Sequence, residues 1–150
     1  MGCDIHAHLE IKYNGKWEHY AHPSISRWYE LFGIMAGIRD CVQPIVDPKG
    51  FPEDASITTK LDYERWGRNA HTPSWFNEDE LDELKEWLSG KYLDEKIGNP
   101  KCSDLSYNLE YSVLNKTYLF GNPLTEHRQY SDCKLPKGVT EVRLVFWFDS

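Results

Sequence analysis

Cys3-Asp4-Ile5-His6-Ala7-His8-Leu9-Glu10-Ile11-Lys12-Tyr13-Asn14-Gly15-Lys16 is the stretch that decides the fold. Cys3, Ile5, Ala7, Leu9 and Ile11 alternate with Asp4, His6, His8, Glu10 and Lys12. A period of two belongs to a strand with one apolar and one polar face. Asn14-Gly15 then supplies a hairpin turn, because a type I′ turn needs positive φ at both central residues. The return strand runs from Lys16 to Ala21. A two-residue loop pairs Tyr13 with Lys16, sets Glu10 opposite His19 and His8 opposite Ala21, and brings His19 to the polar face. The same register puts His22 opposite Ala7, facing inward before Pro23, where a structural role is expected.

Outward from the hairpin, the other end of the chain is also a strand. Glu141 to Asp149 carries bulky apolar residues on both faces and is expected at the centre of the sheet. Between the two ends the helical spacing is clear in two places. Ser26 can cap a helix through about Arg39, with Trp28, Leu31, Phe32, Met35 and Ile38 on its apolar stripe, and Gly33 and Gly37 are expected to admit another backbone. Asn77 and Glu80 form a capping box for a helix from Glu78 to Ser89. Phe76 and Leu81 staple its start, Leu81, Leu84 and Leu88 are buried, and Gly90 stops it. A shorter helix is expected from Ser56 to Trp66. Residues 40–56 and Gly67 to Trp75 read as loops, the first rich in proline. Residues 91–138 fit either a helix on Leu105, Leu109 and Val113 or a hairpin of Tyr111–Leu114 with Thr117–Phe120, and both readings stay open. The expected architecture is one α+β domain over residues 1–150. Its antiparallel sheet holds the N-terminal hairpin and the C-terminal strand, with helices 27–39 and 78–89 packed on one face, the apolar one.

Composition narrows the function classes. With 150 residues, 40% of them hydrophobic and 14% aromatic, the chain can bury one core. Its formal charge of −7 makes it a poor nucleic-acid binder, since phosphate affinity comes from Lys and Arg. The same charge suits a basic partner or plain solubility. No apolar run approaches the roughly 20 residues of a membrane span. A secretion signal is not expected at the start, and His6 stands where N-myristoylation wants Ser or Thr. Cys3, Cys41, Cys102 and Cys133 are scattered without a C-x-x-C pair, as in a chain of reduced thiols in a cytoplasm. Cys3 is expected to be a small buried hydrophobe.

Several segments carry a resemblance. Met1-Gly-Cys-Asp-Ile-His6, Trp28-Tyr-Glu-Leu-Phe-Gly-Ile-Met-Ala-Gly-Ile-Arg-Asp40, Gly50-Phe-Pro-Glu-Asp-Ala-Ser56, His71-Thr-Pro-Ser-Trp75 and Val142-Arg-Leu-Val-Phe-Trp-Phe-Asp149 span most of the chain outside 91–138. Together they resemble a family of small uncharacterised proteins from bacteriophages and bacterial genomes. The resemblance implies a phage or prophage origin, hence a host cytoplasm, and no particular chemistry.

The site reading rests on the residues. His-x-His on a strand sets two imidazoles on one face about 6–7 Å apart at the backbone, within reach of one ion. Asp4, His6 and His8, with His71 from the Pro-containing loop, form the expected metal set. Nitrogen and oxygen donors without thiolate suit Zn²⁺, Mn²⁺, Fe²⁺ or Ni²⁺, of which Zn²⁺ or Mn²⁺ is the expected ion. Glu10 or Asp54 would then take a proton from metal-bound water. The same alternation also describes a plain polar face, a structural hydrogen-bond network or a metal-free ligand site. Asp149 and Arg143 are expected to pair on the last strand. Trp75, beside His71, could wall an aromatic pocket. Two function classes follow. One is a small metal-binding protein, expected to hydrolyse a phosphoester or nucleotide. The other is a non-enzymatic acidic interaction protein that inhibits a host factor. The partner, small molecule or host protein, is not written in the sequence. Both depend on whether the loop at 40–56 closes over the polar face of the first strand.

Overall fold

Alternation and turn chemistry build the hairpin as expected: β1 (Asp4–Tyr13) and β2 (Lys16–Ala21) pair antiparallel, with Asn14 at φ 51° and Gly15 at φ 79° between them. The computed structural model describes residues 2–23, 25, 27, 29–40, 43–86 and 138–150. The Ser26 cap, the helix end at Leu88 to Gly90 and both alternatives for 91–138 lie outside those residues. The remaining elements are α1 (Tyr29–Ala36), α2 (Ile57–Trp66), β3 (Ala70–Phe76), α3 (Glu78–Glu86) and β4 (Val139–Asp149). The strands form one antiparallel sheet in the order β2-β1-β4-β3, so the apolar C-terminal strand is central and the fold is α+β. Among the described residues no helix is long and apolar enough to cross a membrane.

Register sorts the side chains into two faces. Ile5, Ala7, Leu9 and Ile11 lie opposite Phe148, Phe146, Leu144 and Val142, and this apolar face carries the core. Leu31, Phe32 and Met35 of α1 and Leu81 and Leu84 of α3 close it, with Cys3 buried at its edge. The capping box of α3 forms in both directions: Glu80 N donates to Asn77 Oδ1 and Asn77 N to Glu80 Oε1, each at 2.9 Å.

The other face pairs His6 with Trp147, His8 with Val145 and Glu10 with Arg143. It is covered too, by α2. Ser56 caps α2 by accepting from Thr59 N, and Gly67, at φ 55°, ends it. The inward stripe is Thr59, Asp62, Tyr63 and Trp66, which is polar and aromatic, while Ile57 and Leu61 stand outward at 77% and 61% exposure. The helix expected from Ser56 to Trp66 thus forms, and its inverted pattern is why hydrophobic spacing does not show which face it buries.

Three local expectations are corrected. His71 lies on a strand: residues 70–76 form β3, at the sheet edge, where a proline costs no ladder bond. An irregularity between His71 and Ser74, with Thr72 at φ 52°, takes up Pro73. The preceding loop lies along this edge, with Lys49 N donating to Ser74 Oγ and Gly50 N to Pro73 O. Next, α1 stops at Ala36, because Gly37 turns to φ 73° after its N–H bonds Gly33 O. Gly37 serves that turn, not a close backbone approach: among the described residues a Cβ there would meet Pro44 alone, at 3.8 Å. Finally, Asp149 and Arg143 do not pair. Six residues of strand separate them by about 20 Å, and each has another partner.

Candidate metal centre

The centre depends on a bulge in β2. Glu10 lies opposite His19 as expected, but Leu9 lies opposite Ala21, so Tyr20 is an extra residue. A one-residue slip moves every later side chain to the opposite face. His22 therefore comes level with His8 instead of Ala7, and its exposed ring stacks on His8 with centroids 4.3 Å apart and planes 15° apart. This corrects its expected inward position.

His8 is 2% exposed and uses both ring nitrogens. Nε2 lies 2.7 Å from Asp62 Oδ2, and Nδ1 lies 2.9 Å from His19 Nε2. Ligand atoms from His8, His22 and Asp62 all lie within 4.8 Å of one another. Donors on a tetrahedral zinc at about 2.0–2.1 Å sit about 3.3 Å apart. The trio therefore fits an ion after a modest adjustment, with the metal replacing the proton shared by His8 and Asp62. His19 fits the role of an outer partner. With His8 Nε2 on a metal, Nδ1 carries the proton and donates it to His19 Nε2. Without metal, Nε2–H donates to Asp62, and Nδ1 accepts from His19.

Burial favours the neutral form of two of these imidazoles, His8 and His19. Burial holds His8 below the ordinary imidazole range, and the Asp62 hydrogen bond only partly opposes it. Burial also lowers His19. Desolvation pushes the Asp62 carboxyl up, but hydrogen bonds from His8 and Arg65 outweigh it, so the carboxyl lies below its usual value. A neutral imidazole and an ionised carboxylate are the forms a metal needs.

These shifts predict how stability follows pH in the metal-free protein. Above pH 6.5 His8 and His19 are neutral whether folded or unfolded. Below it the unfolded chain takes up protons first, so stability falls until pH passes the lowered folded values. Urea midpoints measured with a chelator from pH 8 to pH 5 should decline below about pH 6.5. The decline should be shallower in His19→Gln. A flat profile in the wild type would contradict neutral burial.

The other expected ligands do not join this trio. Asp4 is exposed and held bidentately by Arg27, at 2.9 Å to each oxygen. His6 Nε2 bonds Asp149 Oδ2 at 2.6 Å, and its ring packs on Trp66 and Trp147. His71 lies on the other side of the sheet, 4.0 Å from Cys3 Sγ, with Nδ1 on the Thr72 hydroxyl. That contact gives Cys3 a histidine neighbour, but burial pushes the thiol pKa up, away from a nucleophilic thiolate.

Neither expected base is beside the trio. Glu10 is wholly buried, and its Oε2 accepts from Ser56 N at 2.8 Å and Thr59 Oγ at 2.7 Å. Its Oε1 accepts from Arg143 Nε at 2.9 Å, while Arg143 Nη2 stands 2.8 Å away without the alignment for a second bond. Asp54 accepts from Arg143 Nη1 at 3.0 Å. The loop thus does close over the first strand, fastened at its end by Glu10 through Ser56 and by Arg143 through Asp54. Arg143 in turn lies over the Trp17 ring at 3.9 Å, and Lys49 over Trp75 at 3.6 Å.

Sequence reasoning missed His22 and Asp62. The bulge hid the first. Asp62 was legible only as one carboxylate on a short helix whose inward face could not be chosen. Compared with protein-family models, curated proteins and solved structures, the chain matches none.

Proposed function

We propose that this protein binds a divalent ion, Zn²⁺ or Mn²⁺, through His8, His22 and Asp62 and uses it to activate water for hydrolysis. The observation that carries the reading is the convergence of two imidazoles and a carboxylate at a cleft. Three protein ligands with a side open to solvent make the arrangement of a catalytic site, whereas structural zinc is closed by four. An ion held by these residues would supply Lewis-acid activation of water near neutral pH. Asp62 Oδ1, which accepts from Arg65 Nη2, is the second oxygen of the ligand carboxylate and would receive the proton. Glu10 acts in this reading as the anchor of the covering loop, not as the base. A phage or prophage origin and a host cytoplasm belong to the proposal on the resemblance of the segments alone.

The test is elemental analysis after exposure to Zn²⁺ or Mn²⁺ and removal of free ion. We expect near-stoichiometric metal in the wild type and none in folded His22→Ala or Asp62→Asn. His19→Gln should keep the ligands but lose roughly tenfold or more in affinity. A wild type that takes up neither ion would overturn the reading.

A second reading, the acidic interaction protein, has one surface in its favour. A cleft of about 830 Å³ lies between Trp17 and Trp75, with Glu53, Asp54, Glu78, Asp79 and Glu141 against Lys12 and Arg143. That balance suits a basic segment of a partner. It predicts unchanged partner capture by a His8→Ala/His22→Ala variant.

A further inference from the structure

The cleft beside the metal trio has a composition of its own. It measures about 410 Å³ and is lined by His8, His22, Thr58, Leu61, Asp62 and Arg65. Thr58, Leu61, Asp62 and Arg65 follow one another at helical spacing and so form one stripe of α2. Among the described residues, Arg65 brings the guanidinium to this lining. Its Nη2 donates to Asp62 Oδ1 at 2.9 Å, yet its side chain is 81% exposed, so its fork can swing to a second acceptor without loss of packing. Leu61 and Ile57, one turn apart, are the large aliphatic side chains exposed among the described residues, and Leu61 is part of the cleft wall.

Charge decides what this cleft accepts. The formal charges of Asp62 and Arg65 cancel. A divalent ion on the trio leaves a net charge of two positive units. A metal on Asp62 also weakens the carboxylate's hold on Arg65 and frees a planar guanidinium, whose geometry matches a phosphate or carboxylate edge. We propose that the cleft takes a phosphomonoester dianion, with the phosphate between the metal position and Arg65 and an apolar alcohol portion on Leu61. The proposal rests on the metal reading above and adds the substrate class. In the reaction the water oxygen bonds to phosphorus as the P–O ester bond breaks. The alcohol leaves with the proton first accepted by Asp62, and inorganic phosphate remains.

Phenylphosphonate and methylphosphonate test binding without turnover, because their C–P bond is not hydrolysed. Both are titrated calorimetrically into protein loaded with one equivalent of Zn²⁺, with bound zinc counted in every sample. Both should bind the wild type and not the chelator-treated protein. Arg65→Ala should weaken both by roughly tenfold or more with zinc retained, as expected for loss of a charge-assisted bond. Arg65→Lys should fall between, keeping charge without the fork. Leu61→Ser should weaken phenylphosphonate alone. If zinc binds but neither phosphonate does, or if Arg65→Ala binds them as the wild type does, the substrate assignment is overturned and the metal centre stands. If zinc itself does not bind, both fall.

Discussion

Glu10→Ala should cost about 3–5 kcal/mol of folding stability, because it removes the buried countercharge of the Arg143 guanidinium and leaves only the exposed Asp54 carboxylate beside it. Both side chains are almost completely shielded, at 0% and 4% exposure. The carboxylate also serves Ser56 N and the Thr59 hydroxyl, so its loss removes the contacts that seat the loop and the first turn of α2 on the sheet. Against a typical total of about 5–15 kcal/mol, that is a large share. Replacing both partners, Glu10→Ala with Arg143→Met, should recover part of the loss, since an apolar pair needs no charge compensation. Urea unfolding of the two variants, with metal chelated, measures this. The comparison also separates two roles for Glu10. A proton acceptor would leave Glu10→Ala as stable as the wild type and affect only turnover. A stability change under about 1 kcal/mol would therefore return Glu10 to the candidate bases.

How much of this was legible in the sequence varied with the range of the physics. The hairpin turn at Asn14-Gly15, the burial of Leu81 and Leu84 and the Asn77–Glu80 capping box depend on neighbours within a few residues, and each could be read directly. The central place of β4 followed from apolar residues on both faces, because only a strand covered on two sides needs them. What could not be read were features set by distant partners. Nothing local marks Tyr20 as an extra residue, yet its bulge moves His22 from one face of the sheet to the other. Edge strand β3 was hidden by Pro73, whose missing N–H argues against a ladder unless the strand is known to be outermost. His-x-His did place His6 and His8 on one face, but the partner of each was chosen by tertiary packing: Asp149 for the first, Asp62 for the second. Period alone identifies a shared face and leaves open what covers it.

Trp147→Ala should be comparably damaging, at about 3–5 kcal/mol, and should also loosen the metal centre. The indole is fully buried and forms the floor between strand and helix. His6 and His8 stack on it at 5.9 and 5.4 Å, and Tyr63 and Phe51 meet it edge-on at 5.1 and 6.2 Å. Removing the ring opens a cavity directly under His8, whose orientation then rests on Asp62, His19 and the exposed His22 ring. Ligands held by packing lose precision when that packing goes, so zinc affinity should fall by roughly tenfold. Trp147→Phe separates the two effects. The indole Nε1 is buried with no acceptor among the described residues, a penalty of about 1–3 kcal/mol that phenylalanine removes. The smaller ring gives back part of that gain as a void, so the net change should be small, while His8 keeps an aromatic surface. Denaturation and zinc titration on both variants decide the matter. If Trp147→Ala weakens zinc no more than Trp147→Phe does, the indole supports the fold alone, and His8 is positioned by its hydrogen bonds.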